Sequence, residues 1–406
     1  MTEIEAVLEA ACRQEAARVV GALTRAYGRF DVAEEAFQEA LLAAWEHWGR
    51  SGVPDRPGAW LMQVARNRAI DRLRREGIGR EKVAQAMRPA PSTDDPLRLM
   101  FTCCHPALQA EARLPLTLRA VCGFSTGQIA HALLLSEAAV AQRIARARRK
   151  VADAGIPYRI PQGDELDERL DSVLSVLYLM FNEGYLASAD GAVVRREMAA
   201  EAATLTRQLT VLFPLEPEPL GLWALMRLHE ARVRARFTPD GQLVRLMDQD
   251  RGLWHRVAIA EAVATLERAA HMGRPARYQI EAAIVACHAE SPSFEATDWL
   301  QIVMLYDLLL QHVDTPVVRL NRAIALRYAV SVEAALVEVA ALSRDLDDYH
   351  LFHATRAELL RAAGREGQAR AAAARAFALT QNPAERTLLA LEYGPDLDGA
   401  TGPVPG

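Results

Sequence analysis

Apolar residues recur at spacings of three and four along nearly the whole 406-residue chain, while alternating apolar and polar runs are scarce. That period places them on one face of an α-helix, so the sequence predicts an all-α protein. A chain of this length exceeds one small core, and roughly two to four domains are expected. Proline- and glycine-bearing stretches mark the joints: "RSGVPDRPG" (50–58) inside the first block, then "RPAPSTDDP" (88–96) and "AGIPYRIPQGDE" (154–165). They divide the chain into a helical domain over 1–80, a linker over 81–97, a second helical domain over 98–155, a linker over 156–168 and a helical array over 169–400.

Several classes are excluded early. With 51% hydrophobic and 24% charged residues the chain is globular, and no apolar run approaches the ~18 residues that span a bilayer. The opening "MTEIEAVLEAACRQEAARVV" is acidic and helix-patterned, so no secretory signal is expected and the cytoplasm is the expected compartment. Five cysteines (Cys12, Cys103, Cys104, Cys122, Cys287) form no CxxC and read as reduced, buried thiols. "FTCCHP" with Cys122 offers Cys103, Cys104 and His105 as metal ligands, but adjacent cysteines diverge on a helix and no second motif completes the set; no metal is expected. "LMFNEGY" (179–185) is a polar candidate in which Gly184 fits a helix C-cap, leaving Asn182 and Glu183 to finish a helix. No nucleophile with a neighbouring base and no phosphate-binding glycine loop occurs, so neither an enzyme nor a cofactor is expected.

Charge is informative where the total is not. The formal net charge is -5, yet Arg56–Lys82 holds eight basic against three acidic residues (net +5), and Glu137–Lys150 five against one (net +4). Basic helices in an acidic chain suit phosphate contacts, or form solvated faces. In "AWLMQVARNRAIDRLRR" (59–75), Met62, Ala65, Ala69 and Leu73 make the apolar stripe, and Trp60, Asn67, Asp71, Arg74 and Arg75 face away. An indole beside arginines suits an unstacked base; equally, Trp60 can pack on Trp48 and Phe37. Before it, "DVAEEAFQEALLAAWEHW" pairs Asp31 with Glu34 as a capping box, buries Phe37, Leu41, Ala44 and Trp48, and presents Glu35, Gln38, Glu39 and Glu46. That acidic face serves solubility or docks on a basic partner protein.

The second block reads as a helix-turn-helix. Ser125 and Gln128 form a capping box, and Ser136 caps the next helix, where Val140, Ile144, Ala147 and Val151 face inward. Ala138, Gln142, Arg146 and Arg149 then face outward, the layout of a helix that enters the major groove. In the last block "RAIALRYAV" from Arg322 and "RAELLRAAG" from Arg356 lie 34 residues apart, with Ala335 matching Ala369. That is the period of tetratricopeptide helix pairs, placed near 316–390.

The order "DVAEEAFQEALLAAW", "AWLMQVARNRAIDRLRR", "STGQIAHALLLSEAAVAQRIARARRKV" resembles bacterial sigma factors of the extracytoplasmic-function group, in the sigma-70 family, where these segments are regions 2.2, 2.4 and 4.2. "LYLMFNEGYLASADG" is similar to the subgroup with a long tetratricopeptide-like C-terminal extension. The resemblance implies that Glu35, Gln38 and Glu39 bind the β′ clamp helices of core RNA polymerase, with the β flap as a further contact. It implies that the loop Gly49–Gly58 holds a flipped base of the minus-10 element beside Trp60, Asn67, Asp71, Arg74 and Arg75. Gln142, Arg143, Arg146 and Arg149 would read the minus-35 element. Promoter DNA is thus an expected partner, a protein or peptide is the expected partner of the array, and regulation falls to the array. One departure is Leu134, where sigma helix-turn-helix motifs carry a glycine suited to φ > 0. Two other readings remain from the residues alone: a helix-turn-helix regulator that acts without polymerase, its array sensing a ligand or protein, and a tetratricopeptide-type scaffold.

Overall fold

The first helix, α1 (Glu3–Tyr27), meets neighbours on several sides, which explains why Ala16, Val19, Val20, Ala22 and Leu23 expose no surface. A helix apolar over so wide an arc must be wrapped. The wrapping elements are α2 (Phe30–Ser51), α3 (Pro57–Arg75), α4 (Asp95–Cys103) and α5 (Ala110–Ala120). The structure is a computed structural model that describes residues 3–76, 92, 95–133, 135–185, 192–238, 242–380, 382–394 and 397. Among them the chain is all-helical, its one β-bridge joining Phe237 to Leu243.

Two compact units form, one of residues 1–187 with 191–205 and one of 188–190 with 206–406. Unit one continues through α6 (Thr126–Ala132), α7 (Glu137–Asp153) and α8 (Glu165–Tyr185), and α9 (Ala192–Leu212) contributes residues to both units. The two blocks separated by "RPAPSTDDP" therefore share one body. Most of that linker lies outside the described residues, and its end is already helical from Asp95. α8 starts at Glu165 and packs on α4 and α5; its buried Arg169 donates to the Phe101 carbonyl at 2.7 Å and to Glu165 at 2.6 Å.

Local expectations fare unevenly. Ser125 and Gln128 make the reciprocal capping box, Ser136 accepts from the Ala139 N–H, and Val140, Ile144, Ala147 and Val151 are buried. The intervening turn closes with the Leu135 N–H on the Ala130 carbonyl (2.9 Å); Leu134 lies outside the described residues. On α3 the buried row is Leu61, Ala65, Ala69 and Leu73, so Leu61 replaces Met62: burial follows the four-residue ridge that packs into a neighbouring groove. Asp31 and Glu34 form no capping box. α2 begins at Phe30 with Arg29 at its N-cap, two residues earlier than an Asp31 cap requires, and Asp31 instead grips Arg29 at 2.6 Å. Gly184 is no C-cap either, since α8 continues through Tyr185.

Unit two stacks α10 (Pro217–Glu230), α11 (Arg256–Ala270), α12 (Arg277–Glu290), α13 (Trp299–Leu310), α14 (Pro316–Ala329), α15 (Val332–Ala341), α16 (His350–Ala362), α17 (Glu366–Leu379) and α18 (Pro383–Tyr393). The helices α14 and α16 start 34 residues apart, as do α15 and α17. Ala323 and Ala357, and Ala335 and Ala369, are fully buried equivalents. The ion pair Arg327–Glu358 recurs 34 residues on as Arg361–Glu392. The repeat is thus one of contacts as well as letters.

Burial sets the chemistry of the cysteines. Cys103, Cys104 and Cys122 are enclosed, and burial pushes the Cys104 thiol up to about 12 and the Cys12 thiol to about 11. Among the described residues no group of three or more His, Cys, Asp or Glu converges as a metal site. At pH 8 a thiol reagent should titrate the part-exposed Cys287 first, with the other four reacting only in denaturant; rapid labelling of Cys104 in the folded protein would contradict this. Gly123, at φ +71°, brings the α5–α6 loop against α1: a Cβ there would lie 2.5 Å from the Cys12 carbonyl oxygen. Gly123→Ala should cost about 2 kcal/mol or more, from the left-handed backbone and the overlap together, read as a lower urea midpoint. An unchanged midpoint would show the approach to be slack.

Candidate functional site

α2 packs against both basic helices, α3 and α7, and its carboxylates meet arginines of each. Toward α3, Glu35 pairs with Arg72 at 2.5 Å and Glu39 with Arg68 at 3.6 Å, all four side chains being partly exposed. Arg72 also holds Glu76 at 3.3 Å. Arg74 and Arg75 remain exposed at the end of α3, with Asp71 3.9 Å from Arg74 and the Asp71 carbonyl 3.4 Å from Arg75 Nε. Asn67, also exposed, accepts from Gln63 at 3.1 Å.

The line of Asn67, Asp71, Arg74 and Arg75 is therefore an outward face, and Trp60 stands at its head. The indole is half-buried, edge-on to Trp48 at 5.5 Å and stacked on His47 at 5.8 Å. Packing on Trp48 and partial exposure hold together. The preceding loop is shorter than 49–58: α2 runs to Ser51, and Gly52 to Arg56 connect to Pro57 at the head of α3.

Toward α7 the arrangement reverses from exposed to buried. Glu34 is 1% exposed and accepts from Arg148 of α7, with Arg119 of α5 at 3.9 Å. Arg119 also donates to Gln38 Oε1, while the Gln38 side-chain amide N–H donates to Glu34 at 3.2 Å. Sequence reading missed this network, although a signal existed. Glu34 lies on the stripe of Phe30, Phe37 and Leu41, and a carboxylate on an apolar stripe needs buried partners.

The outer face of α7 has no such compensation. Gln142, Arg146 and Arg149 are exposed and Arg143 is half-buried, as Trp60 is on α3. Arg143, Arg146, Arg149 and Lys150 make no ion pair among the described residues. Gln142, Arg143, Arg146 and Lys150 line a cleft of about 610 Å³ whose other wall is the α4–α5 corner, Ala107–Ala112. Glu111 also lines the cleft, so three cations face one carboxylate beside a helix N-terminus, and the excess positive charge can hold phosphates while Gln142 and Arg146 reach outward.

Unit two has a separate cavity of about 250 Å³. Trp299 stacks on Tyr328 at 4.3 Å with Phe294 edge-on to both, and Arg245, Glu358 and Asn321 stand among the lining residues. His288 lines it as a neutral ring, since burial and then Arg232 and Arg251 lower its pKa to about 4.

Comparison with known proteins agrees with this geometry. The model for sigma-70 region 2 matches residues 12–78, that for sigma-70 region 4 matches 98–151, and a family of unknown function (DUF6596) matches 169–270. An uncharacterised protein of Rhizobium meliloti (strain 1021) is 44% identical over 390 residues, 92% of each chain. The ECF RNA polymerase sigma factor SigL of Mycobacterium tuberculosis (strain H37Rv) is 37% identical over 122 residues, 28% of this chain and 68% of SigL. No solved structure matches the chain. Among the described residues no helix is long and apolar enough to cross a membrane. With both sigma modules in order and SigL matched over two thirds of its length, the chain belongs to the extracytoplasmic-function group of sigma-70 family sigma factors.

Proposed function

We propose that this sigma factor directs core RNA polymerase to promoters by reading two elements with two helices. α3 and the Gly52–Arg56 loop take the minus-10 element, with Trp60 against an unstacked base, Asn67 and Asp71 beside it, and Arg74 and Arg75 on phosphates. α7 takes the minus-35 element through Gln142, Arg143, Arg146 and Arg149. The polymerase contact is the acidic face of α2, Glu35, Gln38 and Glu39, against the β′ clamp helices, with the β flap meeting the helix-turn-helix. Exposed ion pairs such as Glu35–Arg72 add little stability, so their carboxylates are free to exchange partners.

The observation that carries this reading is the division of charge on α7. Arg148 is held by Glu34, whereas Arg143, Arg146 and Lys150 line the cleft and, like the exposed Arg149, make no ion pair among the described residues. We further assign unit two a regulatory role, its aromatic cavity taking an apolar or aromatic side chain of a peptide partner.

Purified core polymerase should co-precipitate with the full chain and lose it on Glu35→Arg/Glu39→Arg, and run-off transcripts should require both. Duplex binding by the chain without polymerase would favour a stand-alone regulator instead. Each of Arg146→Ala and Arg149→Ala should lower the slope of log affinity against log salt by about 1 in the polymerase complex. Unchanged slopes would remove α7 from the DNA.

A further inference from the structure

Trp299 is the hub of the cavity in unit two. His288 of α12 meets it edge-on at 5.0 Å, Phe294 edge-on at 5.1 Å, and Tyr328 of α14 lies flat on it at 4.3 Å. That stack admits no ring between Trp299 and Tyr328, so the open volume of about 250 Å³ lies beside it. Packed interiors rarely leave a void larger than one water, and a dry cavity of about 150 Å³ binds benzene. This one has room for a single aromatic ring with a small substituent.

The polar groups narrow the occupant further. Among the lining residues Arg245 is already matched by Asp248 and Glu392, each at 2.7 Å, and Glu358 by Arg327 at 2.5 Å, so a neutral occupant is suited. His288 differs. Its side chain makes no hydrogen bond among the described residues, and its Nδ1 is enclosed, so the ring reaches the cavity from the Nε2 side. Burial, then Arg232 and Arg251, keep the imidazole neutral. Arg251 donates to the His288 carbonyl at 2.5 Å, and Nδ1 is the ring nitrogen nearer that main chain. A lone pair on Nδ1 suits these cations better than a proton does, which leaves the proton on Nε2. An enclosed nitrogen without a partner also costs stability that a phenylalanine would not, so packing alone does not account for His288.

We propose that the cavity binds the side chain of a tyrosine presented by a peptide, its ring beside Trp299 and Tyr328 and its oxygen accepting from His288 Nε2. The proposal names the occupant of the peptide site assigned to unit two above and rests on that reading. Tyrosine fits on each count: one ring and one small substituent match the volume, the group is neutral, and the phenolic oxygen accepts a hydrogen bond. Asn321, an exposed lining residue with no hydrogen bond among the described residues, offers a side-chain amide whose donor and acceptor suit the peptide unit that carries the ring. His288 then separates tyrosine from phenylalanine, because a site built to bond a hydroxyl discriminates against the analogue that lacks it.

The test titrates the full chain with N-acetyl-tyrosinamide, N-acetyl-phenylalaninamide, N-acetyl-leucinamide and para-cresol, read by ligand-observed NMR. The tyrosine amide should bind about tenfold more tightly than the phenylalanine amide, the effect of one hydrogen bond in a closed site. His288→Phe should erase that difference by weakening the tyrosine amide alone, while His288→Gln, which keeps an N–H donor, should retain part of it. Ile324→Trp, which fills the cavity from its wall, should abolish binding of every amide. The thermal midpoint of His288→Phe should stay unchanged or rise, since the enclosed nitrogen it removes has no partner; if that variant fails to fold, the wild-type comparison and Ile324→Trp decide. Equal affinity for the tyrosine and phenylalanine amides, or a preference that survives His288→Phe, would overturn the proposal and leave an apolar peptide site. Tighter binding of para-cresol than of the tyrosine amide would overturn the peptide source. Absence of binding by every probe would remove the peptide site itself.

Discussion

A single buried carboxylate, Glu34, sets the arrangement of the sigma modules. Burying an ionised group is costly unless partners meet it, and its partners come from α5 and α7, more than eighty residues away in sequence. Removing one side of such a pair costs about 3–5 kcal/mol in proteins generally, because the other charge stays buried. The position of α7 on α2 is thereby fixed to within a salt bridge. One turn along the same helix Glu35 and Glu39 face α3. α2 therefore orients both basic helices with carboxylates, buried toward one and exposed toward the other.

This division explains why so basic a pair of helices is tolerated in a chain of net charge -5. Arg68, Arg72, Arg119 and Arg148 are matched internally. Arg143, Arg146, Arg149 and Lys150 make no ion pair among the described residues. Compensation follows contact with α2: the cations that touch it are paired, and those on the cleft side are not. Structure and function thus draw on the same residue types, separated by where each helix turns them.

The sequence was most legible where cause and effect lie within one turn. Ser125 with Gln128, Ser136, and the row Val140–Ile144–Ala147–Val151 are local patterns, and each stands where its spacing put it. The 34-residue repeat is legible for a related reason, since each helix pair packs on the next with the same contacts. Glu34 resembles a capping residue in sequence because its partners, Arg119 and Arg148, carry no local mark. Met62 and Leu61 fit the apolar period equally, and only the groove of a neighbouring helix decides between them. Gly184 satisfied the rule for a helix end while the chain kept helical geometry through Tyr185. Cohesion of the two sigma modules was illegible too: a proline-rich segment marks a break in helix, which is no evidence that the flanking parts separate.

The central claim is that two helices of one chain read two separated promoter elements, and only together with polymerase. A footprint on promoter DNA tests it most directly, comparing the full chain alone, core polymerase alone and the two combined. The account predicts protection of two separate segments in the combined sample only, with Gln142→Ala/Arg146→Ala erasing the upstream segment and Trp60→Ala weakening the downstream one. Protection by the chain alone, or one upstream segment unaffected by the α7 substitutions, would contradict it.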